Sequence, residues 1–247
     1  MTIERPWISK ITEVKKNLLS TYGIDQQQII ESFSYEEMVY FLIFGKLPSI
    51  IEKELLRAVI VSHCSHGITG QSTLAVRMAA DCGSSFLNAA IGGFSVGSGT
   101  YHQGALELTM KLLQEAYKHG DIIKYLEERI SSKSVIYGYG HRFHPRDPRA
   151  MRLMILCDEK SYSGPYIETA REIDNYMRAH RSKSMNIEAA CGAILLEIGF
   201  PAEIASLIIL VGRAPMFAAA YFERMNENER PFPRIKVYDV KPSLKHE

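Results

Sequence analysis

The chain has 247 residues, of which 46% are apolar and 23% charged, with a formal charge of +1 at neutral pH. This is the balance of a soluble globular protein, long enough for one large domain or two modest ones around a full core. The near-zero charge argues against a nucleic-acid or anionic-membrane partner, so any anionic ligand must be met by cations placed locally.

In chain order, the opening "MTIERPWISK" is polar and lacks the apolar stretch of a secretory signal. The first strong element follows Ser34, which with Glu37 forms a capping-box pattern ahead of "YEEMVYFLIF"; Gly45 and Pro48 mark its stop. Its apolar residues fall on more than one face, which predicts a largely buried helix. Ser49 and Glu52 repeat the signature before "KELLRAVIV". The stretch "SSFLNAAIGGFSVGSG", residues 84–99, is rich in Ala, Gly and Ser; it needs close neighbours, either inside the fold or at a subunit interface. Asp121 caps "IIKYLEERI", and Pro148 behind Asp147 suits the first turn of another helix.

The longest apolar run, "IASLIILVG", is about half of what a bilayer span requires. Alternation of the strand kind is brief, near residues 134–137 and in "PRIKVYDV", so the expected fold class is all-α. No internal repeat is present, and "NENERPFPR" reads as an exposed strap. Cys64, Cys82, Cys157 and Cys191 lie far apart without a CxxC pair, which predicts a reducing, cytoplasmic setting and neither a disulfide framework nor a zinc knuckle.

Three of the eight histidines sit in Gly-rich, non-periodic settings: His66 in "SHCSHGITG", His102 in "GSGTYHQGALE" and His141 in "GYGHRFHPRDPRA". His63, His119, His144, His180 and His246 are read as structural. His63 with His66, and His141 with His144, have HxxH spacing, but neither pair carries the Glu of HExxH and Pro145 argues against a regular helix, so no metal site is expected. A G-x-S-x-G elbow, a P-loop and a dinucleotide fingerprint are all absent from the sequence.

Carboxylate and carbonyl chemistry remains. Arg142, Arg146, Arg149 and Arg213 can clamp a small polycarboxylate through bidentate pairs, while histidines polarise its carbonyl or hydroxyl. The alternative is that these arginines cap helices or join surface ion pairs. Arg213 weakens it, because between "ASLIIL" and "MFAAAYF" a guanidinium sits in apolar surroundings and needs a partner.

These residues carry a resemblance. "GYGHRFHPRDPRA" resembles the signature of citrate synthases, Gly-x-Gly-His followed by a basic stretch and Asp-Pro-Arg. "SFSYEEMVYFLIFGKLP", "SHGITGQSTLAVR", "YHQGALE", "MNIEAACGAIL" and "VGRAPMFAAAYFE" are similar to five further segments of that family, in its order. Glu188 stands where the family has aspartate, and Gln103 follows His102 where many relatives have glycine. In length the chain looks more like stand-alone citryl-CoA lyases and the C-terminal lyase module of ATP-citrate lyase than like ordinary citrate synthases.

The resemblance implies a helical large domain, 1–103 with 200–247, a small domain, 104–199, and an active site in the cleft between them. It implies that His66, Arg149 and Arg213 bind the carboxylates of oxaloacetate or citrate, and that His102 stabilises the enolate of acetyl-CoA. His141 would polarise the keto oxygen, Glu188 would serve as base at the acetyl methyl, and Gly138, Tyr139, Gly140 and Arg142 would meet coenzyme A. The implied activity is citryl-CoA cleavage to acetyl-CoA and oxaloacetate, with His141 accepting the hydroxyl proton and Glu188 returning one to carbon. Condensation as a citrate synthase, or with another 2-oxo acid, is the alternative; a non-catalytic CoA or tricarboxylate sensor is a third reading. A CoA thioester enters as substrate, no permanent cofactor is implied, and a homodimer is expected.

Overall fold

In the computed structural model, which describes residues 9–227, the chain begins with an antiparallel meander of β1 (Thr12–Lys15), β2 (Leu18–Thr21) and β3 (Ile24–Asp25). Lys15 pairs with Leu18 and Thr21 with Ile24, so each turn has two residues, and the second, Tyr22-Gly23, has positive φ at both positions. This small sheet was not anticipated. Residues 134–136 form no strand, although nearby Tyr139 makes a single bridge to Met185; "PRIKVYDV" and all but the first two residues of "NENERPFPR" lie outside the described residues.

Everything after β3 is helical, as the sequence predicts. The helices are α1 (Gln26–Ser32), α2 (Tyr35–Phe44), α3 (Ile50–Cys64), α4 (Gln71–Asp81), α5 (Phe86–Gly97), α6 (Ala105–His119) and α7 (Ile122–Ser131). They continue as α8 (Pro148–Glu159), α9 (Pro165–Arg181), α10 (Ile187–Glu197) and α11 (Ser206–Met225). Ser34 with Glu37 and Ser49 with Glu52 form complete capping boxes; Asp121 caps α7, and Asp147 caps α8 ahead of Pro148. Each satisfies backbone N–H groups that the first helical turn leaves without partners.

The main core joins side chains of α3 and α6 to α11 around α10, whose residues Ala189 to Leu196 are all buried. A helix apolar on every side has no solvent face, which explains why its sequence lacks amphipathic period. A second, smaller core is formed by Val76 of α4, Ala89 and Ala90 of α5 and Phe217 of α11. A Cβ on Gly93 would come within 2.6 Å of Val76 and 2.8 Å of Phe217, so the Gly/Ala-rich segment packs tightly inside the fold. Its other face stays open, with Leu87 at 67% and Ile91 at 55% exposure.

Residues Ala202–Met225 are long and apolar enough, by length and composition, to cross a bilayer. In the fold this stretch packs against α3, α4 and α5, with Arg213 buried at its middle. Both facts fit a core helix.

Candidate active site

Four chain segments converge on one cleft of about 620 Å³: the α3–α4 loop, the α5–α6 loop, the long α7–α8 connection and the start of α10, with α11 forming part of its wall. Ten of the eleven residues that the sequence singles out for a site line it: His66, His102, Gly138, Tyr139, Gly140, His141, Arg142, Arg149, Glu188 and Arg213. The eleventh, Arg146, proposed as part of the clamp, is exposed and lies outside the cleft, because the loop carries it to the surface just before Asp147 starts α8. A second hollow of about 680 Å³ shares residues 139–144 and is lined in addition by Pro145 and residues 182–184.

His66 rides in the loop that follows α3, its ring laid over Gly70. A Cβ there would stand 2.0 Å from the imidazole Cε1, so any larger residue would push the ring from this position. Nδ1 of His66 donates to the Gly67 carbonyl at 3.1 Å, which leaves Nε2 as an acceptor that is buried and without a partner among the described residues. Its ring stacks near that of His102, centroids 5.7 Å apart. His102 Nε2 lies 3.0 Å from the Ser72 hydroxyl at the head of α4. Burial, then the Arg213 guanidinium, pushes the pKa of His66 down to about 3 and lowers that of His102. Both rings are neutral at pH 7.

His141 is held differently. Its Nδ1 accepts the backbone N–H groups of Phe143 and His144, each at 3.1 Å, so the neutral ring carries its proton on Nε2. Burial also lowers its pKa. The resting ring is therefore a donor; it accepts a hydroxyl proton only after giving up its own. The preceding Gly138 has φ +86°, and a Cβ there would meet Thr109 at 2.6 Å and Ala189 at 2.8 Å, which explains the small residue in "GYG". Tyr139 contributes through its backbone, for its side chain is buried and its hydroxyl donates to the Ala170 carbonyl at 3.0 Å.

The cationic wall is built on α8 and α11. Arg149 is gripped by Asp147, Nε to Oδ1 at 3.1 Å and Nη2 to Oδ2 at 2.8 Å. Arg213 is 2% exposed, and its Nε and Nη1 have no partner among the described residues. Burial, then repulsion from Arg149, lowers its pKa to about 10, so it stays charged at neutral pH. Two adjacent guanidiniums with free N–H groups in a concave site call for an anion. Turning the Gln71 amide oxygen toward Arg142 gives hydrogen bonds of 2.8 and 3.2 Å, which would hold that third guanidinium at the rim.

Glu188 sits in the first turn of α10, where Asn186 caps the helix by accepting from the N–H groups of Glu188 and Ala189. Burial raises its pKa above the ordinary carboxylate value despite Arg149 and Arg213 nearby. A carboxylate with reduced solvation is a stronger base toward a carbon acid.

Two residues of the site were missed by sequence reasoning. Asp147, read only as a helix cap, also accepts the N–H of Ile187 at 3.1 Å and so ties the Arg149 loop to the helix of Glu188. Asn186 donates to the Gly140 carbonyl at 2.9 Å while its backbone N–H donates to that of Gly138 at 2.9 Å, fixing the "GYG" loop to the same helix. Their local signal was a cap motif; their second partners lie some forty residues away in sequence. Of the HxxH pairs, His63 turns inward, its Nδ1 3.0 Å from the Val59 carbonyl, and among the described residues no group of three or more His, Cys, Asp or Glu is arranged to hold a metal ion.

The chain is similar in fold and sequence to several known proteins. A citryl-CoA lyase from Hydrogenobacter thermophilus superposes with a TM-score of 0.86 at 28% identity, covering 98% of this chain and 96% of that one. An ATP citrate lyase from Methanothrix soehngenii matches over 99% of this chain and 43% of its own, with a TM-score of 0.87 at 16% identity, a likeness of fold. A citrate/2-methylcitrate synthase of Bacillus subtilis is 27% identical over 83% of this chain and 56% of its own length, so the chain spans little more than half of that relative. The citrate synthase C-terminal domain matches residues 50–235, three quarters of the chain including every cleft residue named above, and the chain therefore belongs to the citrate synthase family.

Proposed function

We propose that the protein is a citryl-CoA lyase, splitting citryl-CoA into acetyl-CoA and oxaloacetate by a retro-aldol, Claisen-type carbon–carbon step. The observation that carries this reading is the near end-to-end match, at 28% identity, to a protein of the same size that is a citryl-CoA lyase. Arg149 and Arg213 would hold the carboxylates of the oxaloacetate portion, joined by His66 once its Nε2 takes up a proton beside the bound anion, since the resting ring, which donates through Nδ1, offers that atom only as an acceptor. The carbon–carbon bond breaks as the hydroxyl becomes a keto group and the acetyl portion leaves as an enolate, whose oxygen His102 would stabilise. Glu188 would then protonate the enolate carbon.

His141 acts at the hydroxyl oxygen. In the condensing direction its Nε2–H is donated to the keto oxygen, and the two N–H groups on Nδ1 stabilise the negative charge that the ring gains. In the cleaving direction that nitrogen recovers its proton from the hydroxyl. Backbone groups of Gly138, Tyr139 and Gly140, with Arg142, would meet coenzyme A. The citrate and coenzyme A bound in the ATP citrate lyase from Methanothrix soehngenii support this ligand pair.

Condensation as a citrate synthase is the second reading, favoured by the names of the sequence relatives. Supplying citryl-CoA and following oxaloacetate separates them: rapid cleavage without free citrate supports the lyase. Repeated turnovers of acetyl-CoA and oxaloacetate to citrate and free thiol overturn it. We also infer a homodimer formed through the open face of α5 and α11, the large-and-small-domain division given above, and a cytoplasmic setting, with which the free thiols Cys64, Cys82, Cys157 and Cys191 are consistent.

A further inference from the structure

Gln103 follows His102 in the tight loop that leads into α6. Backbone bonds fix the loop: His102 N–H to the Gly99 carbonyl at 2.9 Å, Gln103 N–H to Gly97 at 3.0 Å, and Gly104 N–H to Gly99 at 3.1 Å. The residue lines the cleft, is only 5% exposed, and neither its amide oxygen nor its amide nitrogen has a partner among the described residues. The fold reserves room for it, since a Cβ on Gly97 would lie 2.6 Å from its Oε1. Leaving a buried polar atom unpaired costs about 1–3 kcal/mol, so a methionine would serve packing better at this position.

An amide that needs both a donor and an acceptor is satisfied by a group offering both. The thioester oxygen and the carboxylates at Arg149 and Arg213 only accept, and the hydroxyl, which does both, is the group assigned to His141. A secondary amide does both, and coenzyme A carries one in its cysteamine arm, two methylenes from the sulfur. Resting on the reading of this cleft as a CoA-thioester site, we propose that Gln103 is a specificity-determining residue whose side-chain amide pairs with that cysteamine amide. It thereby selects pantetheine thioesters and sets the distance between sulfur and His102.

The test is calorimetric binding of coenzyme A and of its isostere in which an ester oxygen replaces that amide N–H. Wild-type protein is expected to bind coenzyme A about tenfold more tightly than the isostere. Gln103→Met, and independently Gly97→Ala, which displaces the amide by crowding only the end of a flexible side chain, are expected to abolish that preference. Circular dichroism establishes that each variant is folded. Equal affinities in the wild type, or a preference that survives in a folded variant, overturn the inference alone; wild-type protein that binds no coenzyme A overturns the functional reading and this inference together.

Discussion

Asp147 and Arg149 form a two-point ion pair in which the carboxylate has no exposed surface and the guanidinium keeps 30% exposure toward the cleft. The pair orients the one guanidinium nitrogen that Asp147 leaves free, Nη1, for an incoming carboxylate. Asp147 also receives the Ile187 N–H, so its removal unfastens the first turn of α10 as well. Asp147→Ala is expected to lower unfolding stability by about 3 kcal/mol, read by urea denaturation. Asp147→Asn keeps the cap acceptor at Oδ1 but turns the oxygen that receives Arg149 Nη2 and the Ile187 N–H into a donor; its expected signature is a stability loss smaller than that of the Ala variant, with KM for oxaloacetate or citryl-CoA raised about tenfold. A KM unchanged in a folded Asn variant would remove Asp147 from the binding machinery.

Glu188 pits function against stability. Burial holds its carboxyl above the ordinary range, so ionising it at neutral pH is unfavourable in the folded state. The destabilisation is absent below the unfolded pKa and is fully present once pH exceeds the folded one. Glu188→Gln keeps the shape without the charge and is expected to raise stability by about 1 kcal/mol, about 2–4 °C in Tm for a chain of this size, while abolishing turnover in both directions. In the wild type, condensation needs the ionised form and fades as pH falls through the raised pKa. Cleavage starts from the isomeric state, with Glu188 protonated and His141 lacking its Nε2 proton, which holds the same number of protons, so its acid limb coincides with that of condensation. Coincident acid limbs in the two wild-type profiles, with no turnover in the Gln variant, are the check.

How far the sequence could be read depended on how local each signal was. Capping boxes at Ser34 and Ser49 involve partners three residues apart, so the helix starts were legible from the chain alone. The cleft residues were found because glycine-flanked histidines and an arginine amid apolar residues are improbable as ordinary surface. The double roles of Asp147 and Asn186 were not legible, since nothing local distinguishes a cap that holds one helix from a cap that also holds another loop. The β1–β3 meander escaped for another reason: its strands are two to four residues long, and β1 is exposed throughout, so they carry little of the buried alternation by which strands are recognised.

His63 supplies a pH dependence separate from catalysis. Enclosed near Ser62 and Cys191 and bonded to the Val59 carbonyl, it is held neutral, with its pKa pushed down to about 4 by burial and, secondarily, by Arg213 and Arg149. The unfolded chain takes up this proton near pH 6.5 and the folded one does not, so stability present at neutral pH is lost as pH falls from about 6.5 toward about 4. The full loss is on the order of 3 kcal/mol. His63→Asn retains a donor near the Nδ1 position and is expected to flatten this part of the stability profile, measured by denaturant midpoints across the same pH range. An unaltered slope would assign the acid sensitivity to other groups, of which His66 is the nearest in kind.

The open face of α4, α5 and α11 carries the expectation of a second copy. Leu87 at 67% and Ile91 at 55% exposure stand on α5, Phe222 at 70% and Met225 at 60% on α11, and Met78 at 45% on α4, three helices packed on one another. Apolar side chains in this density on adjacent elements are unfavourable in water and are usually covered. A face presented by the same helices in each copy suits a two-fold pairing, because each patch then meets its own like. Sedimentation equilibrium at micromolar concentration is expected to return twice the 27.9 kDa chain mass. Leu87→Lys with Ile91→Asp places opposite charges in the centre of that face without touching the cleft, and is expected to yield folded monomer; a monomeric wild type would leave these side chains in need of another cover.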